Sequence, residues 1–418
     1  MSTSKSREIP AKGLAELQRT DLVIVGAGIV GLATAWRISQ RFPSLQIHLL
    51  EKESRIAADQ SSHNSGVLHT GIYYRPGSLR AENCRLGKKA MEEFCVQHEI
   101  PFQICGKVIV AQNGVEQDRL QKIYERGQAN GVECSLIDRR RLQELEPHAS
   151  GVAAIHVPQA GIIHFPMVCQ KLAELLTAGG HQIHLNTTLV SVEPGPRHIR
   201  LQTSQGPIHT NRLITCGGLW SDRLIRMSGK TPQAPIVPFR GEFYHLAPEA
   251  HYLCRSLIYP VPDPAYPFLG VHFTRTIKGG VECGPNAVLA LARDGYSRLS
   301  FHPGDAFETL SYEGFRKMAL KNWRTGLGEL WRSWSKQAFV KALQRLVPEI
   351  RSDHLLPAPS GVRAQAVNPD GTLVDDFVIQ KSDNMVHVGN APSPAATASL
   401  NIGRLIADQL DLSPAHPH

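Results

Sequence analysis

Residues 21–52 read DLVIVGAGIVGLATAWRISQRFPSLQIHLLEK, and this stretch constrains the fold more than any other. An apolar run over 22–25 meets Gly26-Ala27-Gly28-Ile29-Val30-Gly31, followed by a helical pattern through Ile38 and a second apolar run ending on Glu51. That order is a strand, a glycine-rich turn, a helix and a second strand, the βαβ unit that holds a dinucleotide. Each glycine serves through its missing side chain: Gly26 for the tight turn, Gly28 for close approach of backbone to a pyrophosphate, Gly31 for helix packed on strand. The helix N-terminus aims N–H groups and its positive dipole end at phosphate. Glu51, twenty residues after Gly31, is placed to accept hydrogen bonds from a ribose 2′-OH.

A chain of 418 residues exceeds one typical core, so two connected domains are expected. No span of transmembrane character is predicted, because the apolar stretch near residue 30 is interrupted by three glycines and already explained by the βαβ unit. Residues 1–20 mix Lys5, Arg7 and Lys12 with Glu8 and Glu16 and lack the apolar core of a secretory signal; they are expected to be a tail, as are residues 411–418. The eight cysteines are scattered, with neither CxxC pairs nor zinc spacing, which predicts reduced thiols, a cytoplasmic location and no metal. A net charge of +8 favours anionic partners. Nucleic acid is not expected among them, since no RNP-like strand or run of five basic residues occurs.

Along the chain, the polar loop 53–76 is followed by one or two helices over 77–98. Strand 108–111 and helices 116–130 and 139–145 come next, then a crossing segment at 154–165. A helix over 165–179 precedes strands at 183–185, 188–192, 199–203 and 208–210, with a turn at Pro194-Gly195-Pro196. The buried run 212–216 returns to Gly217-Gly218, and would lie beside the first βαβ unit if both join one sheet. Segments 235–246 and 257–281 alternate apolar residues between Pro and Gly turns, the pattern of an antiparallel sheet. Residues 313–346 read as helical and carry Trp323, Trp331 and Trp334 with eight Lys/Arg against Glu313 and Glu329. Two readings apply: a basic surface resting on anionic lipid, or a helical pair packing its aromatics inward. Gly326 and Gly328 favour the second. A strand over 385–390 and a helix over 395–410 close the chain.

A nicotinamide cofactor is usually served by two contiguous βαβαβ halves. Here the second half does not follow. The early glycines, Gly217-Gly218 and the Gly389-Asn390 turn instead predict one long dinucleotide gripped at three places, which favours FAD lying lengthwise between domains. The blocks 61–74 (SSHNSGVLHTGIYY), 237–244 (VPFRGEFY), 268–275 (FLGVHFTR), 284–290 (GPNAVLA), 361–365 (GVRAQ) and 390–397 (NAPSPAAT) resemble the L-2-hydroxyglutarate dehydrogenase/oxidase family, within the FAD-dependent group of D-amino-acid and glycine oxidases. The resemblance runs from about Asp21 to Leu410. It implies an α/β, Rossmann-like FAD-binding domain over 21–100, 150–230 and 355–410. An α+β, antiparallel-sheet substrate domain over 101–149 and 231–354 completes the expected chain. It also implies oxidation of L-2-hydroxyglutarate to 2-oxoglutarate by hydride transfer from C2 to flavin N5, with electrons passed to quinone or oxygen. The alternative is a glycine-type amino-acid oxidase or an oxidase of another 2-hydroxy acid. The expected cofactor contacts extend to Ser62, His63, Asn64, Ser65, Gly361, Pro392, Ser393 and Ala395 within the matched blocks and to Lys52, Val190 and Trp220 outside them. Expected partners are a small anionic dicarboxylate and a membrane quinone or electron-transfer protein, the latter placing the enzyme peripherally on the inner face of the cytoplasmic membrane.

The chemistry asks for a base at the substrate hydroxyl, and neutral histidine suits it. His69, in the loop expected to cover the flavin, and His272, on a substrate-domain strand, are the candidates; a lone histidine is otherwise a structural hydrogen-bonder. Two carboxylates ask for bidentate guanidinium, offered by Arg363, Arg240 and Arg275, with Tyr73, Tyr74 and Thr274 as hydroxyl donors. The helix beginning at Ala395 could steady negative charge on the reduced flavin through its dipole.

Overall fold

The computed structural model describes residues 18–195, 198–263, 269–382 and 384–410. Residues 1–17 and 411–418 of the expected tails, Pro196 of the predicted turn and Phe268 lie outside the described residues, whereas residues 18–20, expected to belong to the N-terminal tail, open the first strand. Strand Gln18–Val25 forms the middle of the first sheet. It pairs in parallel with Ile47–Leu50 on one side, Leu22 opposite Ile47, and with Gly206–Thr215 on the other, Leu22 opposite Arg212. Both faces of such a strand are covered, so Leu22, Val23, Ile24 and Val25 are all buried and the sequence shows a continuous apolar run instead of alternation. The predicted strands 208–210 and 212–216 are one strand, and its two halves do different work. Residues 206–210 form a hairpin with Ile199–Thr203, while Leu213 to Thr215 pair in parallel with Met385 to His387. The mid-chain and C-terminal glycine turns thereby end on the same sheet edge as the first.

Gly26 has φ +102°, and a Cβ there would lie 2.5 Å from the Cys216 carbonyl oxygen; one on Gly31 would lie 1.9 Å from the Gly26 carbonyl oxygen. Helix Ile29–Arg41 buries Leu32, Ala33, Ala35 and Ile38. It packs on the C-terminal helix Ala395–Gln409, where a Cβ on Gly403 would come within 2.7 Å of the Ala33 oxygen, so the crossing requires glycine.

The second sheet has eight strands, in the order Leu355–Pro357, Tyr244–Leu246, Val281–Gly284, His272–Arg275, Leu257–Pro260, Lys107–Ala111, Ala153–Val157, Ser135–Asp138. It is antiparallel apart from Leu257–Pro260 against Lys107–Ala111. Strand Ala153–Val157 pairs here, between Lys107–Ala111 and Ser135–Asp138. One face packs Val108, Ile258 and Phe273 on Phe339, Val340 and Leu343 of helix Lys336–Leu343. Strand alternation sends Lys107, Ile109, Leu257, Tyr259, His272 and Thr274 to the opposite face.

The basic segment is three helices, Glu313–Lys321, Trp323–Trp334 and Lys336–Leu343. Gly326 and Gly328 do not interrupt the second. Its aromatics point outward, against the expectation that they pack inward: Trp331 is 66% and Trp334 68% exposed, because Phe339, Val340 and Leu343 of the next helix already fill the space over the sheet. Among the described residues no helix is long and apolar enough to cross a membrane.

Candidate active site

A cleft of about 1660 Å³ runs between the C-terminal edge of the first sheet and the inner face of the second. Drug-sized ligands usually occupy ~300–1,000 Å³, so this one has room for a dinucleotide and a small substrate together.

At the nucleotide end, Gly26, Gly28 and Glu51 line the cleft. The Glu51 carboxylate is held by two backbone donors, Ala27 N–H at 2.9 Å and Glu53 N–H at 3.0 Å, while burial raises its pKa. Gly28 gives the helix no side-chain cap; Ser61 reaches over instead, its Oγ accepting from Ile29 N–H at 2.9 Å. The polar loop folds on its own side chains: Asn64 donates to the Gln60 and Ser61 carbonyls and accepts from Gly66 N–H, and the His63 ring bonds the Ser360 carbonyl at 3.0 Å. Gly217, Gly218, Trp220, Gly361, Asn390, Pro392, Ser393 and Ala395 line the same cleft, as do Lys52, His63, Asn64 and Ser65. Trp220 Nε1 and Asn390 Oδ1 are buried there without a hydrogen-bond partner among the described residues. Buried polar atoms are rarely left so, and a long polar ligand such as FAD would satisfy both. Lys52 and Arg223 lie over the Trp220 ring, at 5.7 and 4.9 Å from its centre, adding positive charge to this wall.

At the other end His69, Tyr73, Tyr74, Tyr259, His272 and Arg363 converge. His272 is 5% exposed and its ring stacks 4.0 Å from that of Tyr259. Its Nδ1 lies 2.9 Å from the Gly270 carbonyl oxygen. A carbonyl only accepts, so Nδ1 carries the proton and Nε2 keeps its lone pair. Burial first, then the charges of Arg363 and Lys107, push its pKa down to about 3 against the Gly270 hydrogen bond. His69 is pushed to about 3 by burial and by Lys107, Arg80 and His272; its backbone N–H is anchored on Thr397 Oγ1 at 3.2 Å. Both imidazoles are neutral at physiological pH. The Tyr73 hydroxyl is buried with no partner among the described residues, and burial raises its pKa well above the ordinary value. Arg363 stands opposite Phe239 in the strand pair Ile236–Gly241 with Gly361–Ala366, which carries the guanidinium to the cleft wall.

Several expected residues are not brought to the cleft. Arg240 is spent on a buried network, pairing with Glu242 at 3.1 Å and donating to the Ser297 carbonyl at 3.0 Å. Arg275 stands at the far end of its strand, half-buried and off the cleft lining, and Thr274 uses its hydroxyl on Tyr259. Val190 is 57% exposed, and the adjacent Thr187, Thr188 and Leu189 line the cleft in its place. Ser62 turns inward, donating to the Ala57 carbonyl at 2.6 Å, and Gly31 packs against Gly26 beneath the lining.

Sequence reasoning missed Ser61, Tyr259, Thr397 and Lys107. For Lys107 a signal existed: it heads KVIVA in phase with Ile109 and Ala111, on a face that the apolar residues mark as buried. Ser61 stood inside a recognised block, but its capping bond spans thirty-two positions.

The model of the FAD dependent oxidoreductase family matches residues 21–409. The chain is 48% identical over 389 residues to the L-2-hydroxyglutarate dehydrogenase of Indibacter alkaliphilus, covering 93% of this chain and 98% of that one. It is 42% identical over 408 residues to the mitochondrial L-2-hydroxyglutarate dehydrogenase of Homo sapiens, covering 93% and 88%. Among solved structures, dithionite-reduced L-alpha-glycerophosphate oxidase from Mycoplasma pneumoniae with FAD bound superposes with a TM-score of 0.76 at 22% identity, over 93% of this chain and 94% of that one. Glycine oxidase from Geobacillus kaustophilus gives 0.71 at 18%, over 94% of each chain. With a glycine turn, two further glycine turns and an acidic strand end all on one cleft, and with this likeness along nearly its whole length, the chain belongs to the FAD dependent oxidoreductase family.

Proposed function

We propose that this protein oxidises L-2-hydroxyglutarate to 2-oxoglutarate with FAD. The observation that carries the reading is the convergence of an unprotonated His272 Nε2, the Arg363 guanidinium and the unpartnered Tyr73 hydroxyl at one end of a dinucleotide cleft. The names of relatives 42–48% identical over most of the chain support the substrate. FAD, when bound, supplies the acceptor for the hydride leaving C2. Arg363 pairs with one carboxylate, its planar fork fixing the acid's orientation. Tyr73 donates to a substrate oxygen. His272 Nε2, left with its lone pair by the Nδ1 bond to the Gly270 carbonyl, is placed to take the hydroxyl proton. His69 is the second candidate for that proton, anchored from the opposite wall. Glu51 would hold the adenosine ribose, and the glycine turns at residues 26–31, 217–218 and 389–390 would hold the rest of the cofactor. Residues 21–100, 158–230 and 355–410 form the cofactor domain in this reading.

Anaerobic mixing with L- and D-2-hydroxyglutarate, followed by flavin absorbance, tests cofactor, substrate and stereochemistry together. Bleaching by the L enantiomer alone is expected; bleaching by glycine or another amino acid, and by neither enantiomer, selects an amino-acid oxidase.

The outward face of helix Trp323–Trp334 supports a peripheral position on an anionic membrane. Trp323, Leu327, Leu330, Trp331 and Trp334 are exposed there beside Lys321, Arg324 and Arg332, the composition of an interfacial helix. Co-sedimentation with phosphatidylglycerol vesicles, lost when Trp331 and Trp334 become Ser, is expected; vesicle binding that ignores both charge and tryptophan overturns this placement.

A further inference from the structure

Lys107 is 1% exposed, which is rare for a lysine unless it is paired. Its Nζ lies 4.9 Å from the centre of the Tyr73 ring and 5.0 Å from that of Tyr259. No carboxylate among the described residues forms an ion pair with it, and the neighbouring Cys84 is a thiol that burial keeps protonated. Two ring faces hold an ammonium through their quadrupoles, but they leave much of its field unanswered in a dry interior. That field reaches the cleft, because Tyr73 and Tyr259 both line it and the Tyr259 ring packs 4.0 Å from that of His272.

We propose that Lys107 is a positioning residue, a buried cation beneath the cleft floor that supplies counter-charge to a dicarboxylate bound above Tyr73 and Tyr259 and adds positive charge near His69 and His272. It acts through the two tyrosines and does not line the cleft itself. The groups that face it come from four elements: His69 and Tyr73 from the turn after Val67–Leu68, Cys84 from helix Leu79–Gln97, Tyr259 from its strand and His272 from the next. Arg80 adds positive charge at His69, and Arg363 at His272. Burial brings the Lys107 pKa down to about 8, with Cys84 opposing, so the cation is present below that pH and lost above it. An anion in the cleft favours the charged form, so its affinity falls as pH rises through that value.

The inference rests on the cleft being the dicarboxylate site. It is tested on the flavin-loaded protein with glutarate, an unreactive C5 dicarboxylate, whose Kd is read from the perturbation of flavin absorbance between pH 6.5 and 9.5. Expected is a constant Kd below pH 8 that weakens toward tenfold per pH unit above it. Lys107→Arg should abolish that alkaline loss, since guanidinium does not titrate there. Lys107→Met should bind glutarate weakly at every pH and move the acid limb of kcat/KM to higher pH, because removing a nearby cation makes the histidines easier to protonate. A wild-type Kd that does not change between pH 7 and 9.5, or a Lys107→Met protein with wild-type Kd and acid limb, overturns the proposal. If Lys107→Met fails to retain flavin, the wild-type and Lys107→Arg curves decide. Absence of bleaching by L-2-hydroxyglutarate at pH 7 defeats the substrate reading separately, whatever the glutarate curve shows.

Discussion

The nucleotide end of the cleft is made of backbone, and the substrate end of side chains. At the first, the essentials are missing atoms: Gly26 at φ +102°, Gly28 open to a ligand, Gly31 against the Gly26 oxygen, all within six residues of chain. At the second, His69, Lys107, Tyr259, His272 and Arg363 arrive from five strands or turns, in or beside three different sheets, and come together only after those sheets are assembled. A local device tolerates no substitution but announces itself; a convergent one is dispersed and depends on register. Pairing of Ile109 with Tyr259 is what sets the Lys107 ammonium under the tyrosine ring. A slip of one residue would turn it to the other face.

That difference orders the ways to break the two ends. Gly31→Val places carbon where 1.9 Å separates a Cβ from a carbonyl oxygen, so the turn cannot form. The expected outcome is loss of bound flavin and of soluble protein, read by absorbance and yield; a flavin-replete Gly31→Val protein would show the turn to be plastic. His272→Ala strikes the other end, leaving flavin content normal and lowering kcat by about 10²–10⁴ if His272 is the base. Turnover like wild type would pass that role to His69, whose own Ala variant then carries the loss. Arg363→Lys should raise KM about ten- to a hundredfold, since hydrogen bonds to charged groups are worth about 1.5–3 kcal/mol; an unchanged KM assigns Arg363 to the strand pair with Phe239.

Glu51→Ala is the milder counterpart at the nucleotide end, removing the acceptor of the Ala27 and Glu53 N–H groups and the ribose anchor together. Flavin should dissociate several-fold more readily with substrate selectivity intact; full retention after dialysis would count against the anchor. The smallest effect at neutral pH is on stability. His69 and His272 are pushed to about 3, and His48 and His387 to about 4, in each case chiefly by burial. A histidine held below its unfolded pKa of about 6.5 leaves the fold at full stability above that value. Stability is then lost as pH falls from there toward 4 and 3, at up to about 1.4 kcal/mol per pH unit for each histidine. Thermal midpoints measured from pH 7 down to 4 should drop increasingly steeply, and a flat profile would mean these imidazoles are reached by water in the folded state.

Much of the first sheet was legible along the chain. The run 22–25, the glycines and the helix to Arg41 obey local periodicity, and the family blocks carried the cofactor assignments that line the cleft. Arg240, Arg275, Thr274 and Val190 were misplaced because a residue type and a motif say nothing about which way a strand faces or which neighbour claims the side chain first. Glu242 claims Arg240, and Tyr259 claims Thr274. The tryptophans of helix Trp323–Trp334 point outward for the same reason, since Phe339 and Leu343 took the core positions over the sheet.

What the sequence alone determined is therefore the dinucleotide turn, its acidic strand end and the family to which the chain belongs, because these rest on spacing within a few turns of chain. Only the tertiary structure decided that the Lys107 ammonium and the His272 imidazole both pack against Tyr259, and that the proton on His272 sits at Nδ1. Strand pairing across long loops places those side chains, and no local pattern encodes which strands become neighbours.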